Sequence, residues 1–172
     1  AQVVEQLREA GLSKIVMMTG DSDRTAKAIA KRVGVDEYYS EVLPEDKANF
    51  VEREKQAGRK VIMIGDGIND SPALSAADVG IAISEGAEIA REVADITVGA
   101  DDLKEIVKLK RLSDALMQRI RRNYRIIVGF NTGLIVCGVT GVLPPTTSAL
   151  LHNTSTLVIG LQSMKNLLDE SE

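Results

Sequence analysis

Lys60-Val61-Ile62-Met63-Ile64-Gly65-Asp66-Gly67-Ile68-Asn69-Asp70 is the stretch on which the fold turns. Its first half is short, apolar and closed by Gly, which reads as a fully buried strand over 60–64. Its second half delivers two carboxylates and an amide within five residues, at the C-terminal edge of that strand. Ligands of open α/β sheets sit outside the carboxyl ends of the strands. Two Asp at such an edge suit a hard cation, since Mg²⁺ takes oxygen ligands and shares them with substrate phosphate. An ordinary Asn-Asp turn leading into a helix, with Gly supplying a positive φ, explains the same residues equally well.

Working outward, Lys14-Ile15-Val16-Met17-Met18-Thr19-Gly20-Asp21 repeats the design: an apolar strand, then hydroxyl, Gly and carboxylate. Between the two lies Pro44-Glu45-Asp46-Lys47, a helix start with a lysine in its first turn. After the second comes Ser71-Pro72-Ala73-Leu74. Residues 1–10 have helical spacing stopped by Gly11, and Asp21-Ser22-Asp23 caps a helix running to about Val33. Tyr38–Val42 reads as a short strand and 45–57 as a helix. A short helix then runs to about Ala76. Val79–Ile83 is a strand, Ala87–Val93 a helix and Asp95–Val98 a last strand. Strands alternating with helices at this spacing indicate a parallel sheet covered on both faces.

Thr-Gly-Asp, then a lysine, then Gly-Asp-Gly-x-Asn-Asp-x-Pro-Ala-Leu, in that order, resembles the phosphorylation domain of P-type ATPases, cation pumps of the haloacid-dehalogenase fold. The resemblance implies an α/β, haloacid-dehalogenase-like (Rossmann-like) parallel-sheet half-domain over 1–101. It also implies roles. Asp66 would hold Mg²⁺, with Asp70 in the same metal shell or orienting Lys47. Lys47 would neutralise phosphate oxygens, and the Thr19 hydroxyl and Gly20 amide would donate to that phosphate. Asn69 would steady the loop, and Asp21 would lie near nucleotide and hinge. Without its neighbours, Lys47 reads as a solvated helix lysine. The family phosphorylates an Asp in an Asp-Lys-Thr-Gly string, which does not occur in this sequence. Ala1 opens inside an amphipathic helical pattern, so the chain is expected to be a piece. The nucleophile, the actuator domain and most of the ATP site would lie in a missing N-terminal part, and the isolated chain is expected to be inactive.

Charge divides the chain. The 172 residues hold 25 acidic and 21 basic side chains, too even a balance for an overall nucleic-acid footprint. Residues 1–100 carry 18 acidic and 12 basic groups, whereas 104–125 carry 8 basic and 2 acidic, and 126–164 carry no Asp, Glu, Lys or Arg. A basic connecting helix over 102–125 is therefore followed by two apolar stretches, 126–143 and 149–168, joined by a turn at 144–148. They read as a two-helix transmembrane hairpin in a lipid bilayer, with a pair of buried core helices as the rival. The basic residues flank its ends and are absent from its turn. That places 1–125 and the tail 169–172 on the cytoplasmic side of a membrane, a bacterial plasma membrane being expected. The single cysteine, Cys137, leaves no internal disulfide.

Polar groups at bilayer depth are expensive and are functional candidates by default. Asn131 and Cys137 in the first stretch, and His152, Asn153 and Ser155 in the second, are candidates for a transported ion. Imidazole suits Zn, Cu, Fe or Ni, and thiol suits soft metals. Interhelical hydrogen bonding is the alternative for the hydroxyls, and a small hydrophobe the alternative for Cys137. Two stretches after the phosphorylation domain resemble the heavy-metal branch of the family. That implies ATP-driven export of a transition metal such as Cu, Zn, Co or Fe through an aspartyl-phosphate intermediate. A phosphatase of the same fold, or a non-catalytic membrane-anchored remnant, are the alternatives.

Overall fold

The computed structural model describes residues 2–65, 68–83, 92–99 and 103–167. The chain divides into two compact units, 1–107 and 108–172.

In the first unit, α1 (Gln2–Glu9) buries Val4 and Leu7 and ends where Gly11 takes a φ of 96°, a left-handed turn that a Cβ would strain. β1 (Val16–Met18), α2 (Asp23–Val33) and β2 (Glu37–Tyr39) follow. α2 starts at Ser22 without a side-chain cap and stops at Gly34, whose N–H reaches the Ala30 carbonyl. α3 (Pro44–Gln56) begins with Pro in its first turn, where the missing N–H has no intrahelical partner to lose. Next come β3 (Ile62–Gly65), a 3-10 turn (Ile68–Asp70), α4 (Ser71–Ala76), β4 (Val79–Ile83) and β5 (Ile96–Val98). All pairings are parallel. β1 pairs with β2 from Val16 opposite Glu37, and β3, β4 and β5 form a second ribbon with Ile62 opposite Val79 and Ile81 opposite Ile96. Val51, Ala73, Leu74, Ile81 and Ala82 are buried between helices and strands.

Register is pinned by a repeated device. Asp36, at the entry to β2, accepts from the Ile15 amide at 2.7 Å; Asp78, before β4, accepts from Val61 at 3.0 Å; Asp95, before β5, accepts from Gly80 at 2.8 Å. Each carboxylate satisfies an amide at the start of the neighbouring strand, where the ladder has barely begun. β2 is shorter than the expected strand because Glu41 turns out of line at a φ of 53°. The expected helix over 87–93 falls largely outside the described residues.

The second unit is a helical hairpin made by α5 (Lys104–Val139, which begins in the first unit) and α6 (Pro145–Ser163). The basic and apolar stretches form one continuous helix. It closes at Val139, because the Thr140 hydroxyl turns back onto the Val136 carbonyl, the Val142 N–H bonds the Cys137 carbonyl, and Gly141 takes a φ of 75°. Within α5 only residues 126–139 are free of charge, about 21 Å of helix against roughly 30 Å of bilayer core. α6 starts earlier than expected and is diluted by the polar run His152–Thr156. Among the described residues, no helix is long and apolar enough to cross a membrane.

Candidate functional site

The end of β3 folds back on itself. A Cβ on Gly65 would lie 2.6 Å from the Asp70 Cβ and 2.8 Å from its Oδ2. Glycine is therefore what lets the 3-10 turn bring Asp70 against the strand that precedes it. Asp70 is the one buried charged residue among those described, 7 % exposed. Its Oδ1 accepts from Lys47 Nζ at 2.6 Å, with both side chains largely shielded from water. Lys47 stands in the first turn of α3, after Glu45 and Asp46. The partial positive charge of a helix N-terminus favours those two acids and disfavours a lysine. The Asp70 carboxylate offsets that, and a charge-assisted bond in a shielded place fixes the ammonium.

A second cluster closes the end of β1. The Thr19 hydroxyl donates to Asp21 Oδ2 at 3.0 Å and accepts from the Asp21 amide at 3.1 Å. The Thr19 amide donates to the Tyr39 carbonyl, and the Val42 and Glu41 amides donate to the carbonyls of Thr19 and Asp21. Gly20 stands at the tip with open space where a Cβ would be. The structure thus places Lys47 with Asp70, and Thr19, Gly20 and Asp21 with one another. Asn69 is exposed beside Asp70. Asp66 and Gly67 lie outside the described residues, and among the described residues no group of three or more His, Cys, Asp or Glu could hold a metal ion. Ser71 carries a buried hydroxyl with no partner among the described residues. Sequence reasoning passed over it, because a Ser beside Pro72 reads as a helix start.

In the hairpin, His152 Nδ1 lies 2.8 Å from the Asn131 amide oxygen. With an acceptor there, a neutral ring carries its proton on Nδ1 and leaves the lone pair on Nε2. The Ser155 and Thr156 hydroxyls both donate to the His152 carbonyl, and Thr154 to that of Leu150. These hydroxyls serve their own helix. Cys137 and Asn153 make no polar side-chain contact among the described residues. Of the five candidates here, only Asn131 and His152 are joined side chain to side chain among the described residues. Sequence reasoning missed the foot of the hairpin. There Arg119 donates to the carbonyls of Ser163, Lys165 and Asn166, and Asn123 Nδ2 donates to Ser163 Oγ at 2.7 Å. The signal was an Arg and an Asn four apart, hence on one helix face.

Residues 1–78 match a family model described as a haloacid dehalogenase-like hydrolase. The manganese-exporting P-type ATPase of Mycobacterium leprae (strain TN) is 40 % identical over 166 residues, covering 96 % of this chain and 23 % of that protein. The copper-transporting P-type ATPase of Rhizobium leguminosarum bv. viciae is 46 % identical over 151 residues, 88 % of this chain and 18 % of that one. A crystal structure of a zinc-transporting PIB-type ATPase superposes with a TM-score of 0.87 at 33 % identity, covering 98 % of this chain and 27 % of that one. The chain thus spans only 18–27 % of the length of these three proteins. The chain is a homologue of the heavy-metal-transporting P-type ATPases, built in its first part on their haloacid dehalogenase-like parallel-sheet fold.

Proposed function

We propose that the chain serves as the phosphate-handling and membrane-proximal part of an ATP-driven transition-metal pump that works through an aspartyl phosphate. The observation that carries this is the Lys47–Asp70 pair, a fixed cation at the carboxyl end of β3. Phosphoryl transfer needs positioning and electrostatic stabilisation above all. Lys47 supplies a point charge for phosphate oxygens, and Asp70 holds it in place. The Thr19 hydroxyl and Gly20 amide, at the end of β1, supply hydrogen bonds, and the open space at Gly20 leaves room for an anion. Asp21 holds the Thr19 hydroxyl. Asn69 supports the turn.

The hard oxygen donors of Asp66 and Asp70 fit Mg²⁺, although Asp70 already balances Lys47, so Asp66 is the better direct ligand. When bound, the ion would neutralise charge on the transferring phosphoryl group. The phosphorylated Asp would arrive on a further strand. β1 and β3 each keep one edge without a strand partner among the described residues, so both could take it. ATP would be held by that additional part of the protein.

The hairpin is proposed to lie among other helices of a multi-pass membrane protein in a bacterial plasma membrane, with 1–125 and the C-terminus on the cytoplasmic side. Val128, Phe130, Ile135, Val136 and Leu157 are exposed on it, which suits lipid or neighbouring helices. His152, oriented by Asn131, is the foremost cargo ligand, with Cys137, Asn153 and Ser155 behind it. Manganese, copper and zinc, named for the relatives, are the first ions to try. A phosphatase of the same fold would account for the first unit but leave the hairpin without a task.

A chimera tests this reading: the chain replaces the matched segment of the Mycobacterium leprae relative, and ATP-dependent metal uptake is measured in inside-out vesicles. Uptake of one of the three metals, lost in His152→Ala, is expected. No ATP-dependent uptake of any of them would contradict it.

A further inference from the structure

α5 carries arginines on two different sides. Taking 100° per residue, Arg119 and Asn123 share the side that meets α6, and their donors are spent on its last turn and the residues just after it. Arg121, Arg122 and Arg125 fall within about 100° of one another on the opposite side. All three are exposed. The polar contact found for them is Arg125 Nε to the Arg121 carbonyl at 3.4 Å. Between residues 115 and 167 there is no Asp or Glu, and Asp114 is already paired with Lys110. The trio is therefore a patch of positive charge without a protein counter-charge among the described residues.

The same face changes character abruptly one turn further on. Val128, Val136 and Val139 follow within about 70° of its centre, with Gly129 and Thr132 among them; all are exposed, Val139 at 83 %. Tyr124, 67 % exposed, stands at the height of the boundary on the neighbouring side. Arginines, then the height of an amphipathic ring, then a stretch without charge is the order of environments from water through headgroups to acyl chains.

We propose that Arg121, Arg122 and Arg125 form a binding surface for the phosphates of anionic phospholipids. Tyr124 lies at headgroup level and the valine-bearing stretch lies in the acyl region. The inference deepens the reading of the hairpin as membrane-embedded and adds a lipid class and the residues that select it. Guanidinium groups pair with phosphate through parallel N–H donors, which a neutral, zwitterionic surface rewards less.

The test is partition of the 172-residue chain into vesicles of phosphatidylcholine alone and of phosphatidylcholine with phosphatidylglycerol, at two salt concentrations. Anionic vesicles are expected to bind it about a hundredfold more tightly at low salt, on the scale of three basic residues at a charged leaflet. The triple variant R121Q/R122Q/R125Q should lose that enhancement and keep its binding to neutral vesicles. Arg119→Gln, whose guanidinium is engaged within the hairpin, should keep the enhancement. Equal binding to both vesicle types by the native chain overturns the inference while leaving the membrane reading intact. Binding of the native chain to anionic but not to neutral vesicles fails the membrane reading and the acyl placement together, and supports the arginine–phosphate contact alone. An unchanged enhancement in the triple variant, or a preference for RNA over anionic vesicles that the trio carries, also overturns it.

Discussion

Lys47 occupies a place that local helix electrostatics disfavour, and only a tertiary partner makes it sensible. Removing that partner leaves a shielded ammonium without its counter-charge. Asp70→Asn is expected to lower the stability of the first unit by about 1–3 kcal/mol, with Lys47→Ala in the same range. The double variant should cost less than the sum, and denaturant unfolding of the four proteins checks it. Asp36 and Asp78 make a pH prediction. The Ile15 amide and the Arg8 guanidinium hold the Asp36 carboxyl below the ordinary carboxylate range; Lys60 and the Val61 amide do the same for Asp78. Carboxyls depressed on folding contribute stability above their unfolded pKa and lose it as the pH falls through the folded value. Melting temperature should therefore drop as the pH is lowered below about 4, and more shallowly in D36N/D78N, read by a thermal melt across that range. The Lys47 and Asp70 positions were legible as motif residues in the sequence. Their direct pairing was one of two options, since a motif states order along the chain and not which oxygen faces which cation.

At the scale of elements, two glycines, Gly65 and Gly80, carry the packing of the first unit. A Cβ on Gly80 would lie 2.7 Å from the Leu74 carbonyl oxygen, because α4 rests directly on β4 there. Backbone cannot move aside as a side chain can, so Gly80→Ala should destabilise by about 1–3 kcal/mol, measurable by urea unfolding. Alternation of apolar strands with helices was readable from residues 14–83, because parallel strands write near-continuous apolar runs; their burial was not, since only β4 is buried through its middle and Ile62, in the strand expected to be fully buried, is 38 % exposed. Strand ends were not: the pairing of β2 stops at Tyr39 through the backbone turn at Glu41, which apolar content does not reveal. Helix ends in the hairpin follow the same logic. Hydropathy marks where charge stops, at Arg125, but the helix ends where Thr140 and Gly141 close it. The three Asp-to-amide ties were also invisible in sequence, since an Asp before a strand reads as turn chemistry.

For the whole molecule, fold and kinship agree. The order Thr-Gly-Asp, lysine, Gly-Asp-Gly-x-Asn-Asp was specific enough to name the family, and the relatives and the superposed zinc transporter bear that out. Which metal such a chain would serve was not legible, because imidazole, thiol and amide groups suit several transition metals. Without an Asp-Lys-Thr-Gly string, the 172-residue chain alone should form no phosphoenzyme with ATP; acid-stable labelling of it would refute that. The most direct test of the central claim is acid-stable phosphate incorporation from labelled ATP into the chimera carrying this chain, with and without Lys47→Ala. Hydroxylamine-sensitive label is expected in the native chimera, with a loss of about a hundredfold or more in its rate of formation once Lys47 is removed, the scale of a lost charge-stabilising donor. Equal labelling of the two proteins, or none in the native chimera, would contradict it.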